Sequence, residues 1–287
     1  MNQVITEVDI KRMVENSEEL KRYLHKSFKI QILSESNNVV FKILGKNNLV
    51  AKVGYTGYGK NEYNTLKILS SKNYNVPNPI AYIPVHKELS NDWSYGDINR
   101  ELGVLFFPLL EGKNLKQDLT KIDIIRGLNF LKNLHEDRSL TVGKIKDYQQ
   151  VEVERGLKYA KKLLNGELSK SIQKIIKKYR NYEINYRFIH GGPRLEHFIV
   201  KDNKIWMIDF EGACLGDRFK DLGIYFTEII LHNFNKSELI KAYFDRKLND
   251  EEVERLMFFE LRALLVKMNF EPSPEVLKHI KELVKYS

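Results

Sequence analysis

The chain has 287 residues, 43% of them apolar, with a single cysteine and a formal net charge of +9. That length suits one medium domain or two lobes, and 15 Phe with 15 Tyr can fill a sizeable core. No run of about 18 apolar residues exists, so no membrane-spanning helix is expected. The charged N-terminal stretch lacks the apolar segment of a secretion signal, and a lone thiol, Cys214, excludes an internal disulfide, so we expect a cytoplasmic protein with Cys214 in its core.

Taken in chain order, residues 1–27 read as a helical extension, with Val14, Leu20, Tyr23 and Leu24 as its buried positions. Strand-like runs follow at 28–33, 39–44 and 48–53, and turn residues at 45–48 join the last two into a hairpin. Residues 54–60 (GYTGYGK) read as a flexible loop and 61–71 as a helix, stopped by Val76-Pro77-Asn78-Pro79. Two more strands, 80–85 and 102–109, flank a polar segment at 91–99. Past Glu111-Gly112 the pattern is helical at 114–135, 153–165, 168–180, 221–232, 236–244, 251–269 and 274–286. A strand pair at 198–200 and 205–208, joined by Lys201-Asp202-Asn203-Lys204, interrupts it. The expectation is an α+β fold in three parts: the extension 1–27, a five-stranded, one-helix lobe at 28–111, and a helical lobe at 112–287.

Charge is uneven. Residues 151–190 carry ten Lys or Arg against four acids. Leu168, Ile172, Ile175, Ile176 and Tyr179 form an apolar stripe at helical spacing, which turns the lysines between them outward. Such a face either keeps the chain soluble or meets an anionic partner such as RNA, through 155–187.

Two carboxylates and a lysine carry the chemical reading. The apolar strand Ile205-Trp206-Met207-Ile208 ends in Asp209, an oxygen donor of the kind Mg²⁺ prefers, with Glu211 two residues on as a candidate second ligand. Lys52 lies in Asn48-Leu49-Val50-Ala51-Lys52-Val53, and Glu62 follows ten residues later at the start of a helix.

Six segments in one order resemble the aminoglycoside phosphotransferase and choline kinase branch of the protein-kinase-like fold, over roughly residues 28–245. They are the Lys52 strand with Glu62, Val76-Pro77-x-Pro79, Phe106-Phe107-Pro108-Leu109-Leu110-Glu111-Gly112, Leu131-Lys132-Asn133-Leu134-His135, the stretch from His190 to Asp209, and Gly216-Asp217-Arg218-Phe219-Lys220-Asp221-Leu222. The resemblance implies an ATP-dependent kinase using Mg²⁺ or Mn²⁺. Lys52 would touch the α- and β-phosphates, Glu62 would hold Lys52, Phe107 and Leu109 of the hinge-like segment would bind the nucleotide, and Asp209 would hold the metal. His190 and Asp221 would brace the catalytic loop.

The chain departs from that family at three places. Where the family has HGD followed by Asn, this chain has His190-Gly191-Gly192 followed by His197. Gly192 stands at the catalytic Asp and offers no group to accept a proton. General-base help is worth roughly 10² to 10⁴ in rate, so Glu196 is a candidate substitute base and Arg194 a candidate phosphate clamp. His197 stands at a metal-ligand position, where imidazole suits Mn²⁺ or Zn²⁺ better than Mg²⁺. The first hairpin loop, residues 34–38, has no glycine, which leaves Ser36 or backbone N–H groups to meet the β-phosphate. The expected activity is γ-phosphoryl transfer to a hydroxyl of a small molecule or RNA; an aminoglycoside fits poorly, because the helical half has no acidic cluster. The alternative is a pseudokinase that binds nucleotide without turnover.

Overall fold

The structure, a computed structural model, describes residues 5–24, 27–35, 39–85, 102–141, 148–232 and 234–285; Ser36 and the polar segment 91–99 lie outside the described residues. In chain order the elements are α1 (Glu7–Asn16), α2 (Glu18–Leu24), β1 (Lys29–Glu35), β2 (Val39–Leu44), β3 (Leu49–Tyr55), α3 (Thr56–Ser71), β4 (Ala81–Val85), β5 (Leu102–Pro108) and β6 (Lys113–Asn114). There follow α4 (Lys121–Glu136), α5 (Tyr148–Leu163), α6 (Gly166–Lys178), β7 (Arg187–Ile189), β8 (Phe198–Lys201) and β9 (Lys204–Met207). The chain ends with β10 (Cys214–Gly216), α7 (Arg218–Ile230), α8 (Lys236–Phe244), α9 (Asp250–Phe270) and α10 (Pro274–Lys285). No described helix is long and apolar enough to cross a membrane.

The chain divides into two compact units, 1–113 with 199–212 and 114–198 with 213–287. This differs from a cut at residue 111 in two ways. The β8–β9 hairpin falls with the first unit, and α1 and α2 share that unit's core instead of forming an extension apart from it.

The first unit is built on an antiparallel sheet in the order β1-β2-β3-β5-β4. Alternation along β3 and β5 gives the sheet two faces. Ala51, Val53, Val104 and Phe106 join Ile10 and Val14 of α1 and Leu20 and Leu24 of α2 in one core. The opposite parity sets Val50 beside Phe107 and Lys52 beside Leu105. An apolar strand thus delivers one ammonium to a face otherwise lined by Val, Leu and Phe. At α1, Thr6 accepts the Asp9 N–H at 3.3 Å while Asp9 accepts the Thr6 N–H at 2.9 Å, a reciprocal cap that fixes the helix start.

Residues 54–60 are not a loop. Gly54 and Tyr55 continue β3 opposite Gly103 and Leu102, and α3 begins at Thr56. Two of the three glycines that read as loop residues, Gly57 and Gly59, sit in the first turns of that helix. A Cβ on Gly59 would come within 3.1 Å of the Tyr82 ring on β4, so close packing against the sheet overrides poor helix propensity there.

The β8–β9 turn matches the sequence reading. Asp202 and Asn203 both take positive φ, 51° and 57°, as a two-residue hairpin turn of the mirror-image type requires. Asn75 ties the hairpin down, its carbonyl accepting the Met207 N–H at 2.9 Å and its side-chain amide donating to the Ile205 carbonyl at 3.2 Å.

In the second unit α7 and α9 cross closely at Gly223, where a Cβ would lie 2.5 Å from that of Phe259. Tyr179 stacks on Phe258 with ring centroids 4.1 Å apart and donates from its hydroxyl to Asp217 at 3.0 Å. Asp217 also caps α7 and takes two bonds from Arg255, at 2.9 and 3.1 Å, so its buried charge is fully matched. Buried Glu152 is likewise held by Lys220 at 3.1 Å and Arg262 at 2.7 Å. Of the apolar stripe along α6 and just past it, Ile172, Ile176 and Tyr179 are buried and Leu168 and Ile175 half-buried, while Lys158, Lys161, Lys174 and Lys177 are exposed. The short strands β6, β7 and β10 carry no sequence signal of their own; three residues or fewer are too brief for an alternation to register.

Candidate functional site

Four side chains converge within the first unit. Lys52 of β3 donates to Glu62 of α3 at 2.8 Å, meets Glu211 at 3.1 Å and forms an ion pair with Asp209. Oxygens of Glu62, Asp209 and Glu211 all lie within 4.8 Å of one another, and among the described residues these three form the one carboxylate, His or Cys group spaced to hold a metal ion. Glu62 is 1% exposed. Its second oxygen accepts the Phe210 N–H at 3.2 Å, locking the backbone just after Asp209 to the same carboxylate. Asn61, one residue earlier on α3, donates to the Glu211 carbonyl at 3.1 Å. Asp209 itself takes φ 71°, the left-handed region that Asp tolerates better than most residues and that often marks a working site.

The charges are strongly coupled. Burial works against the Lys52 ammonium, but Glu62, Asp209 and Glu211 outweigh it and hold the lysine well above its ordinary value. Burial pushes the Glu62 carboxyl above the usual range, against the pull of Lys52 and with the added repulsion of Asp209 and Glu211. Three acids around one lysine are an electrostatic excess that a divalent cation or a second ammonium would relieve.

The loop 190–197 belongs to the second unit. Asp221 of α7 accepts the His190 N–H at 2.7 Å, the Gly191 N–H at 2.8 Å and His135 Nε2–H at 3.0 Å. His135 Nδ1 pairs with the Tyr243 hydroxyl at 2.6 Å. Burial raises the Asp221 carboxyl, but the His135 hydrogen bond, the two nearby imidazoles and the Gly191 N–H hold it below the usual aspartate range. His190 is buried, and its Nδ1 accepts the Gly192 N–H at 3.3 Å. Gly191 has φ 89°, which demands glycine. Gly192 does not: its φ is ordinary, and an added Cβ would meet nothing within 4 Å.

Sequence reasoning names Glu211 and His197 as candidate ligands beside Asp209; within the first unit, Glu62 and Glu211 lie beside Asp209. The His197 ring lies tilted against that of His190, with centroids 5.6 Å apart and 32° between the planes, and its Nδ1 accepts the Arg194 N–H at 3.5 Å. Arg194 is half exposed and its guanidinium lies 3.6 Å from Glu196. Burial alone would raise the Glu196 carboxyl, but its own backbone N–H, His197, Lys116 and Arg194 hold it below the usual range, which makes it a weak base. Phe107 is buried on the Lys52 face, and the Leu109 N–H donates to the Asn48 carbonyl at 2.9 Å. Asn61, His135 and Tyr243 carry no role in the sequence reading. Asn61 adjoins Glu62 and His135 ends a quoted motif, whereas nothing local marks Tyr243, 108 residues from its partner.

The model of the phosphotransferase enzyme family matches residues 30–259. The chain belongs to that family. Solved structures share the kinase-like fold of this phosphotransferase at low identity. The hygromycin-bound aminoglycoside phosphotransferase APH(4)-Ia is 16% identical with a TM-score of 0.65, covering 96% of this chain and 97% of its own. Amicoumacin kinase hAmiN, in complex with AMP-PNP, Ca²⁺ and amicoumacin, is 12% identical with a TM-score of 0.64, covering 98% and 95%. A choline/ethanolamine kinase family protein from Mesorhizobium loti is 17% identical with a TM-score of 0.59, covering 97% and 92%. No curated protein matches the phosphotransferase.

Proposed function

We propose that the chain transfers the γ-phosphate of ATP to a hydroxyl acceptor, using Lys52 to meet the α- and β-phosphates and Glu62 to fix Lys52. The observation that carries this reading is the convergence of Lys52, Glu62, Asp209 and Glu211 within the first unit. Phosphoryl transfer asks a protein mainly for positioning and charge neutralisation, and a buried lysine held by three acids provides both. Oxygen donors at this spacing suit Mg²⁺ or Mn²⁺, with Asp209 as the principal ligand and Glu211 as the second. The bound ion would supply neutralisation of charge on the transferring phosphate. Phe107 and Leu109 line the base, Ser36 or its neighbours meet the β-phosphate, and Arg194 clamps the γ-phosphate. His190 and Asp221 brace the loop, and His197 remains a candidate metal ligand. The acceptor is a small molecule or an RNA that meets the exposed lysines of α5 and α6.

A second reading, nucleotide binding without turnover, is favoured by one residue: Gly192 has no proton acceptor to offer, and Glu196 is a weak substitute. Both readings require nucleotide binding. ATP with Mg²⁺ or Mn²⁺ at a hundredfold excess over Kd stabilises the folded chain by about 2.7 kcal/mol, a Tm rise of about 5 °C. Asp209→Ala removes the rise. No shift at millimolar nucleotide defeats both readings. Transfer of labelled γ-phosphate to RNA or to a metabolite pool, lost in Asp209→Ala, separates the enzyme from the non-catalytic binder.

A further inference from the structure

Within the first unit, the backbone just past Asp209 is held from α3 at two adjacent points. Glu62 Oε1 accepts the Phe210 N–H at 3.2 Å, and Asn61 Nδ2 donates to the Glu211 carbonyl at 3.1 Å. A carbonyl only accepts, so the partner fixes which end of the Asn61 amide faces it. Asn61 is half-buried and is the sixth residue of α3, beyond the first four N–H groups that a cap serves. Asparagine is a poor helix former in such a place. Its amide reaches across 150 residues of chain, to the loop that carries two of the three acids around Lys52.

Glu211 is the acid that most needs such a hold. Its side chain is 37% exposed, against 26% for Asp209, and Glu62 is buried. An exposed glutamate samples several rotamers, and fixing it on a ligand costs side-chain entropy. A backbone free to move as well would add to that cost. The bond from Asn61 to its carbonyl and the bond from the preceding N–H to Glu62 remove much of that freedom in advance. The Glu62 bond cannot be probed by itself, because the same carboxylate holds Lys52 at 2.8 Å. Asn61 stands outside the acid group and ties the loop down without adding a charge to it.

We propose that Asn61 is a positioning residue, which acts through Glu211 to set its carboxylate beside Asp209 for a divalent cation. Partners that orient a metal ligand in this way typically carry 10- to 100-fold in metal affinity. The inference rests on the reading of Asp209 and Glu211 as metal ligands and adds to it the residue that fixes their spacing.

The test titrates Mn²⁺ into the full chain without nucleotide, followed by the enhanced relaxation of water protons, so that turnover plays no part. Alanine suits a helix interior, so Asn61→Ala folds. It weakens Mn²⁺ binding about tenfold. Asn61→Gln, which keeps the amide donor on a longer arm, recovers part of the loss. Glu211→Gln also weakens binding, and the double variant Asn61→Ala with Glu211→Gln binds no more weakly than Glu211→Gln alone, because the two residues act as one unit. A residue that merely supports the fold would instead cost the same factor in both backgrounds. Equal Mn²⁺ affinity in parent and Asn61→Ala, or additive losses in the double variant, overturns the proposal while the metal reading of Asp209 and Glu211 stands. Absence of saturable Mn²⁺ binding in the parent, or binding unchanged in Asp209→Ala, overturns both.

Discussion

The Lys52 ammonium and the Glu62 carboxylate meet at 2.8 Å, both side chains largely buried, with Asp209 and Glu211 completing a ring of acid around the one base. Lysine here is structural in its own right, because without it three acids face one another. Lys52→Met therefore lowers the stability of the nucleotide-free chain by roughly 3 kcal/mol, the usual cost of removing one partner of a buried pair. It also abolishes the Tm rise given by ATP. Chemical denaturation with and without nucleotide checks both halves. A Met variant as stable as the parent means the acids are already protonated or solvated, and the electrostatic account of the site fails.

Asp221 gives the loop its pH dependence. Its folded-state value is held below the ordinary aspartate value, so it contributes stability that is complete above about pH 4 and is lost as pH falls through the lower folded-state value. Asp221→Asn strands the N–H groups of His190 and Gly191 on a weaker acceptor and costs about 2–4 kcal/mol at pH 7. The Tm gap between parent and variant stays constant from pH 7 to pH 5 and shrinks below pH 4. A gap independent of pH down to pH 2 removes the charge from the argument and leaves only shape.

How far the sequence showed this site depends on how local the signal was. Lys52 and Glu62 lie on adjacent elements at a spacing the strand–helix pattern makes visible, and Asp209 closes an apolar strand. Their meeting needs the β8–β9 hairpin to fall with the first unit, and Asn75 holds it there through one backbone and one side-chain bond to residues 130 and more positions away, which no local pattern marks. The start of α3 was misread because glycines at 57 and 59 mimic a loop, when at least Gly59 instead makes room for Tyr82. His135 and Tyr243 support Asp221 from 86 and 22 residues away, and no periodicity records such pairings.

An RNA acceptor makes a prediction of its own. Lys158, Lys161, Lys174 and Lys177 are exposed on α5 and α6. If all four contact phosphates of single-stranded RNA, changing them to Gln lowers the steepness of log K against log salt by about 3, from roughly 0.7 per contact. Filter binding across 50–300 mM salt measures this. An unchanged slope assigns the lysines to solubility alone and points to a small-molecule acceptor.

Gly192 separates chemistry from conformation. Its neighbour Gly191 needs glycine at φ 89°, but Gly192 has an ordinary φ and open space where a Cβ would stand. The backbone therefore accepts a side chain, and what the position lacks is a proton acceptor. Gly192→Asp leaves stability within about 0.5 kcal/mol and raises the rate of γ-phosphate transfer by roughly 10² to 10⁴, the range of general-base help. The gain disappears when Lys52→Met is added, because the new carboxylate acts only on a bound nucleotide. Single-turnover transfer of labelled phosphate, with Tm recorded alongside, reads both effects. If the variant folds, binds ATP as the parent does and still transfers no faster, proton abstraction does not limit the reaction, and the loop from His190 to His197 works by another route or not at all.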